Sequence, residues 1–187
     1  MTRRGLLQGL LAAGIWNSWA ARAGAAQPAA MKAIEDLQKN WKMLLAEGIK
    51  VPLPSESLKL SNDEWRKRLD KMAYYILREE GTERAGTSPL NHEKRPGIYA
   101  CAGCDLPLFA SDMKYDSGTG WPSFFTTIPA VFGTKKDYGL FLPRIEYHCI
   151  RCGGHHGHVF NDGPNPTGQR WCNNGVALKF IPKTGKA

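Results

Sequence analysis

Two cysteine pairs constrain the fold of this chain more than any other feature of its sequence. Cys101 and Cys104 form one C-x-x-C motif, and Cys149 and Cys152 form a second motif further along the chain. Two such motifs brought together supply the four thiolates that a tetrahedral zinc ion requires. Because zinc bound by four cysteines keeps no open coordination position, the predicted site is structural. Two disulfide bonds in an exported protein would explain the same residues and are the alternative.

The fifth cysteine, Cys172, belongs to neither pair and is a candidate nucleophile. Its neighbours Arg170, Trp171, Asn173 and Asn174 are an unusual setting for an inert core cysteine. A cationic or histidine-lined pocket would lower the pKa of its thiol and make the thiolate available. The alternative is a buried free cysteine that acts as a small hydrophobic side chain.

Two histidines follow the second cysteine pair and could line such a pocket if the chain folds back. They are His155 and His158. Imidazole titrates near neutrality, so either histidine could act as a general acid, and either could instead be a hydrogen-bonded core residue. The segment Gly118–Phe124 contains too much glycine and proline to be ordinary core.

At these residues the chain resembles a known family, the B-type methionine sulfoxide reductases, which act on the R epimer of the sulfoxide. The resemblance runs from about Ser61 to Ile181 and rests on long motifs in the same order. These motifs are Cys101–Cys104 with Leu106–Phe109, Asp116–Phe124, Cys149–Gly153, His155–Phe160, Asp162–Pro164 and Arg170–Asn174.

The resemblance implies roles for individual residues. Cys172 would be the catalytic cysteine, and Trp121 would pack on the methyl group of the substrate. His155, His158 and Asn174 would form a polar wall around the sulfoxide. The fold that the resemblance implies is an antiparallel, mainly β core.

Three residues depart from the pattern of the family. Asn173 stands where an aliphatic residue is usual, and Trp171 stands where tyrosine is commoner. Thr119 occupies a position where many members carry a second, resolving cysteine. With four cysteines assigned to zinc, the sulfenic acid formed on Cys172 would be reduced by an external thiol or a thioredoxin-like partner.

The substrate would be methionine-R-sulfoxide, either free or in oxidised proteins, and two other functions remain possible at this point. One is a cysteine and histidine acyl-transfer enzyme that uses His155 or His158 as its base. The other is a zinc-binding module without catalysis, which would leave Cys172 and Trp121 without a role.

The N-terminus carries the pattern of an export signal. Arg3 and Arg4 precede a short apolar run and small residues, which predicts a twin-arginine-like signal over residues 1–26 with cleavage between Ala23 and Gln27. An ordinary secretory signal is the alternative, and either one predicts an exported, periplasmic protein. The apolar run is too short to span a bilayer, which needs about 20 residues, so no membrane segment is expected in the mature protein.

The charge of the chain is modest for its length. The formal charge is +8, and loss of Arg3, Arg4 and Arg22 with the signal would leave +5. No basic run is interleaved with aromatic residues, so nucleic-acid binding is not expected. The sequence predicts one domain, expected to be a monomer, over residues 61–187, after a helical extension and linker over residues 27–60.

Hydrophobic periodicity predicts an α+β, mainly β fold. Antiparallel sheets would form a barrel-like core behind N-terminal helices. One helix is predicted to end at Gly48, and a second would run from a capping box at Ser61 to Gly81. From Gly97 onward the pattern alternates and predicts short strands, which are Ile98–Ala100, Leu140–Leu142, Arg144–Cys149, Val159–Phe160 and Val176–Ile181.

Overall fold

The computed structural model describes residues 17–45, 47–139 and 142–183. Within these ranges, three α-helices precede the sheets: α1 (Asn17–Asn40), α2 (Asn62–Arg68) and α3 (Lys71–Glu79). Short 3-10 turns cover Trp41–Leu44, Pro89–Asn91, Ser111–Met113 and Gly175–Ala177. Across the described ranges, no helix combines the length and the apolar character that crossing a bilayer would require.

Nine strands occur in the described part of the chain. They are β1 (Gly97–Cys101), β2 (Pro107–Ala110), β3 (Lys114–Tyr115), β4 (Ser123–Phe124), β5 (Phe132–Asp137), β6 (Arg144–Cys149), β7 (His155–Phe160), β8 (Arg170–Asn173) and β9 (Leu178–Pro182). A three-stranded sheet has the order β2-β1-β9, and a six-stranded sheet has the order β3-β4-β8-β7-β6-β5. All neighbouring strands are antiparallel.

The predicted mainly β, antiparallel class is therefore confirmed. The barrel-like closure is not found in the described residues, because the two sheets are separate and each keeps its edge strands. Aromatic side chains fill the core: Phe109 stacks on Phe124 with ring centroids 3.9 Å apart, and Tyr99 meets Phe124 edge-on. Helix α3 packs against β7 and the 3-10 turn Gly175–Ala177, so it supports the strands that carry the candidate site.

The predicted second helix is two helices. Its capping box is confirmed, because the Ser61 hydroxyl accepts a hydrogen bond from the Glu64 amide and the Glu64 carboxylate accepts one from the Ser61 amide. The helix then stops at Leu69, which has an extended backbone, and Asp70 caps a new helix by accepting from the Ala73 amide. Because Leu69 fits the apolar period, the periodicity did not reveal this break.

The strand predictions are mostly confirmed, with adjustments. The strand predicted over Val176–Ile181 begins only at Leu178, because Gly175–Ala177 form a 3-10 turn. Strand β6 has the predicted bounds, but Ile145 is exposed and Glu146 is buried, the reverse of the predicted alternation at those positions. Opposite Tyr147 and His148, the neighbouring strand β7 carries a bulge at His156. The predicted strand at Leu140–Leu142 falls on residues 140 and 141, which lie outside the described part of the chain.

The N-terminal predictions meet the structure only in part. The paired arginines lie in residues 1–16, outside the described ranges. Helix α1 runs without a break through the expected cleavage segment Ala23–Gln27 and ends at Asn40, earlier than the predicted end at Gly48. The chain continues from α1 into the 3-10 turn Trp41–Leu44.

Candidate active site and metal centre

The four paired cysteines form one buried cluster. Their sulfur atoms all lie within 4.8 Å of one another. Cys101 Sγ is 3.7 Å from Cys152 Sγ, and Cys104 Sγ is 3.5 Å from Cys149 Sγ. A disulfide bond would require about 2.05 Å, whereas zinc–sulfur bonds of about 2.3 Å in a tetrahedron separate the sulfurs by distances such as these. The disulfide alternative is therefore wrong, and the cluster is a structural zinc site.

Three arginines surround the turns that carry these cysteines. Arg68 donates to the Gly103 carbonyl, Arg78 donates to the Cys152 carbonyl, and Arg151 donates to the Cys104 carbonyl, each at 2.8 Å. Four thiolates around one zinc ion carry a net negative charge, which nearby guanidinium groups offset. The residues around the cluster therefore fit the metal in charge as well as in geometry.

The zinc site joins the two sheets. Cys101 ends β1 of the three-stranded sheet, and Cys149 ends β6 of the six-stranded sheet. Since the cysteines are buried and leave no open position for substrate or water, the metal holds the fold and supplies no chemistry.

Cys172 lies in the six-stranded sheet, on β8. Its register partners are Ser123 on β4 and His158 on β7. Directly opposed residues of antiparallel strands point to the same face, so this register brings Cys172 and His158 together. Gly157 permits the close approach of β7 and β8, because a Cβ at this position would collide with the Cys172 carbonyl oxygen.

Cys172 opens into a cleft of about 220 Å³. Three of the residues predicted to surround the sulfoxide, Trp121, His158 and Asn174, line this cleft with it. The remaining lining residues are Thr82, Thr119, Arg144, Gly157, Phe160, Arg170 and Asn173. The cleft therefore unites a thiol, an imidazole, an amide and an indole.

His158 is held by an acidic partner. Its Nε2 lies 2.7 Å from Asp137 Oδ2, which also accepts from Arg144 at 2.7 Å. The pKa of His158 is lowered because burial outweighs the attraction of Asp137 for the protonated ring. His158 is therefore mostly neutral near pH 7 and holds its proton only at lower pH.

His155 occupies a different place from the one expected of it. It is buried, it does not line the cleft, and its Nδ1 lies 2.8 Å from Glu146 Oε1. Its ring packs edge-on against His158 with the centroids 5.6 Å apart. The structure thus puts His155 behind His158, where it can position that ring.

Glu83 holds two of the predicted site residues and was missed in the sequence. Its backbone carbonyl accepts from Trp121 Nε1 at 3.1 Å, and its amide donates to Asn174 Oδ1 at 2.9 Å. Its buried carboxylate accepts from the amides of Gly175 and Val176 at 2.6 and 3.0 Å. Because these partners lie far away in the chain, no local pattern around Glu83 indicated the role.

Arg170 supplies the positive charge near Cys172 that was expected from histidines. It pairs with Asp162 through two hydrogen bonds of 2.8 and 2.9 Å, which fix its guanidinium. The pKa of the Cys172 thiol is nevertheless raised, because burial outweighs the charge and the hydrogen bond of Arg170. The expectation of a lowered thiol pKa in the free protein is therefore wrong.

Asn173 and Tyr147 brace the strand behind the thiol. Asn173 Nδ2 donates to the Tyr147 hydroxyl at 2.9 Å, and that hydroxyl donates to the Cys172 carbonyl at 3.1 Å. His156 lies beside Asn173, and burial lowers the pKa of its imidazole to about 4. The Asn173 side chain, which departs from the family pattern, is thus hydrogen-bonded to buried polar groups inside the core.

An antiparallel β fold with a closed four-cysteine zinc site and a separate free cysteine in a cleft defines a class of zinc-stabilised proteins with one thiol open to a ligand. Comparison with known proteins makes the assignment specific. Residues 69–182 match the SelR domain. The chain belongs to this family, that of the B-type methionine sulfoxide reductases.

Several curated proteins are similar to this chain. It is 52% identical over 128 residues to peptide methionine sulfoxide reductase B1, chloroplastic, of Oryza sativa subsp. japonica, a match that covers 68% of this chain and 60% of the rice protein. It is 46% identical over 129 residues to peptide methionine sulfoxide reductase MsrB of Methanosarcina barkeri, covering 68% and 91%. It is 45% identical over 123 residues to methionine-R-sulfoxide reductase B3, mitochondrial, of Mus musculus, covering 65% and 49%. The chain thus spans less than two thirds of the rice and mouse relatives.

The relatives correct the expected location. The rice, Arabidopsis thaliana and mouse proteins are named as chloroplastic or mitochondrial, which does not fit a periplasmic protein with a twin-arginine signal. The prediction failed because arginine-rich, acid-poor leaders with small residues also direct proteins to organelles. The residues at the N-terminus therefore do not distinguish an export signal from other leaders.

Proposed function

We propose that the protein reduces the R epimer of methionine sulfoxide to methionine. The observation that carries the proposal is the common cleft in which Cys172 lies with Trp121, His158 and Asn174. A sulfoxide needs a nucleophile for its electrophilic sulfur, a proton for its oxygen and an apolar surface for its methyl group. The cleft contains a candidate for each requirement.

The reaction begins with attack of the Cys172 thiolate on the sulfoxide sulfur. His158 gives a proton to the oxygen, and Asn174 donates to or orients the oxygen through its amide group. The S–O bond of the substrate breaks, the oxygen ends on Cys172 as a sulfenic acid, and methionine leaves with two more electrons. Trp121 packs on the methyl group, a contact worth about 0.3 to 1.5 kcal/mol. His155 supports His158 from behind.

An external thiol completes the cycle. Thr119 lies at the cleft where a resolving cysteine would stand, and the other four cysteines belong to the zinc site. A thioredoxin-like protein or a small thiol therefore attacks the sulfenic acid, releases water and leaves a mixed disulfide, which a second thiol reduces. The catalytic unit is residues 61–187, which act as a monomer without nucleic acid.

One feature favours a second candidate, acyl transfer. Cys172 and His158 are register partners, and His158 is hydrogen-bonded to Asp137. A cysteine hydrolase triad arranges its thiol, imidazole and third polar group in the same order. Membership of the reductase family weighs against acyl transfer. Hydrolysis of a thioester or ester, measured beside sulfoxide reduction, distinguishes the two activities.

Substitution of the nucleophile tests the proposal. Cys172→Ser should lower the yield of methionine in a first turnover by about 10³-fold or more, since a hydroxyl is a poor nucleophile toward sulfur. The assay offers R and S epimers, each as the free amino acid and within a peptide, to zinc-loaded protein. The matched control is Thr127→Val, a change outside the cleft, which should leave the rate unchanged. Undiminished R-epimer reduction by Cys172→Ser would overturn the assignment.

A further inference from the structure

Three hydroxyl groups form a continuous chain that ends at the cleft lined by Cys172. Thr119 Oγ1 lies 2.8 Å from Ser117 Oγ, which in turn lies 2.8 Å from Ser123 Oγ. Ser123 Oγ is 3.1 Å from the carbonyl oxygen of Trp121. At the other end, Thr119 lines the same cleft as Cys172, and Ser123 is the register partner of Cys172 on the adjacent strand.

Counting protons fixes the direction of these hydrogen bonds while Cys172 is a thiol. The Trp121 carbonyl cannot donate, so Ser123 donates to it and must accept from Ser117. Ser117 then has no proton left for Thr119, so the Thr119 hydroxyl donates to Ser117. The Thr119 oxygen is left to accept the S–H group of Cys172.

A thiolate requires the opposite direction, because it only accepts hydrogen bonds. If the three hydroxyls rotate together, Ser123 donates to Ser117, Ser117 donates to Thr119, and Thr119 donates to the sulfur. Ser117 is satisfied in both states, since it always gives one hydrogen bond and accepts one from a hydroxyl and one from the Thr119 amide. The hydroxyls gain and lose no proton, and the thiol proton leaves to solvent in the cleft.

We propose that the hydroxyl groups of Thr119, Ser117 and Ser123 form a reversible donor relay that stabilises the Cys172 thiolate. Thr119 is the member of the relay that contacts the sulfur. Hydrogen bonds in series polarise one another, so the last donor is stronger than an isolated hydroxyl. Ser123 is fully buried, and water does not compete for its proton. The relay thus opposes the burial that raises the thiol pKa, and it costs only the hydrogen bond between Ser123 and the Trp121 carbonyl.

The proposal rests on the proposed role of Cys172 as nucleophile, but it concerns a property of the free protein. The charged and titratable groups near the thiol are Arg170, Asp162, Tyr115, Tyr147, His158 and Arg144. Thr119→Val keeps the shape of the side chain and leaves all of these groups in place. A change in the titration of Cys172 in this variant therefore reports the hydroxyl.

The test is the pH dependence of alkylation of Cys172 by iodoacetamide in the zinc-loaded full chain, with the modified residue identified by mass spectrometry. Thr119→Val should raise the thiol pKa enough to make alkylation near neutral pH about tenfold slower. Thr119→Ser should stay close to wild type. Ser117→Ala reaches the sulfur only through Thr119 and should slow alkylation by about threefold. Thr127→Val, whose hydroxyl lies outside the relay, should have no effect.

Two results would overturn the relay. An unchanged titration in Thr119→Val would mean that the Thr119 hydroxyl does not stabilise the thiolate. If the titration of Cys172 changed in Thr119→Val but not in Ser117→Ala, Thr119 would act alone, without the other two hydroxyl groups. Zinc content and melting temperature verify that each variant is folded. Because alkylation needs no sulfoxide, failure of the relay and failure of the proposed reductase function are separate results.

Discussion

His158 on β7 and Asp137 on β5 meet through a hydrogen bond of 2.7 Å between Nε2 and Oδ2. The pKa of Asp137 is held below its usual range, first by the Gly139 amide and then by His158, so the carboxylate is charged and Nε2 carries the proton. The proton that His158 would give to a sulfoxide must then come from Nδ1, and it is present only when the ring is protonated.

This pairing predicts the pH profile of kcat/KM. The reactive form needs a thiolate with a raised pKa and an imidazolium with a lowered pKa, so the rate should rise through the pKa of His158, level off, and fall above that of Cys172. Asp137→Asn removes the charge that favours the imidazolium and lowers the pKa of His158 further. The acidic limb should therefore move to lower pH.

The plateau of kcat/KM in Asp137→Asn should fall in proportion to the shift of the acidic limb. If the acidic limb moves by about one pH value, the plateau should fall by about tenfold, because the reactive form becomes rarer by that factor. Asp112→Asn, which removes an exposed carboxylate, is the matched control. An acidic limb that stays in place in Asp137→Asn would mean that His158 is not the acid.

Loss of a zinc ligand should weaken the whole fold. Cys101→Ser or Cys149→Ser should release the metal and lower the melting temperature, because structural zinc in small domains contributes about 10 to 16 kcal/mol of apparent binding energy to folding. Elemental analysis and thermal melting measure the two effects. Cys172→Ser is the control, with full zinc and a near-normal melting temperature. Less than about a tenth of an equivalent of zinc in freshly purified wild type would contradict the structural site.

Trp121 should matter more for substrate than for stability. Trp121→Ala removes the indole face and should raise KM by about two- to tenfold, the range expected for a sulfur–aromatic contact. Trp121→Phe keeps a ring but loses the hydrogen bond to the Glu83 carbonyl, so its effect should be smaller. Steady-state kinetics and thermal melting separate binding from folding. Equal, large losses of stability in both variants would indicate a core tryptophan instead.

Recycling should proceed without an internal disulfide in the wild type. One turnover without reductant, followed by a sulfenic-acid trapping reagent and mass spectrometry, should give one adduct on Cys172 with zinc retained. Thr119→Cys places a second thiol in the cleft that Cys172 lines, and the trapped adduct should be replaced by a disulfide between the two positions. A bond between Cys172 and a zinc cysteine, with release of metal, would contradict this.

The zinc site and the strand β6 were predictable because their signals are local or specific. Two C-x-x-C turns define a metal site by chemistry alone, and Arg144–Cys149 alternates enough to identify a strand. Ser61 with Glu64 likewise marks a helix start through hydrogen bonds three residues apart. Such features need no knowledge of the tertiary fold.

Other features depend on partners far away in the chain. Glu83 bonds to Asn174 and Gly175 only after β8 and its turn have packed beside it. His155 and His158 have the same residue type and nearly the same neighbours, yet His155 lies buried beside Glu146 and His158 lines the cleft. No sequence pattern distinguished them, because the difference arises from strand pairing.

The choice of zinc over disulfides between β1 and β6 has a chemical consequence for the proposed thiol-dependent cycle. A thiol that regenerates Cys172 acts by exchange, and it would open an accessible structural disulfide in the same way. A metal–thiolate cluster contains no sulfur–sulfur bond to exchange, and here it is buried. The zinc cross-link between the sheets therefore does not take part in thiol–disulfide exchange with the reductant. In the proposed mechanism, a thiol can reduce Cys172 repeatedly without opening the cross-link between the two sheets.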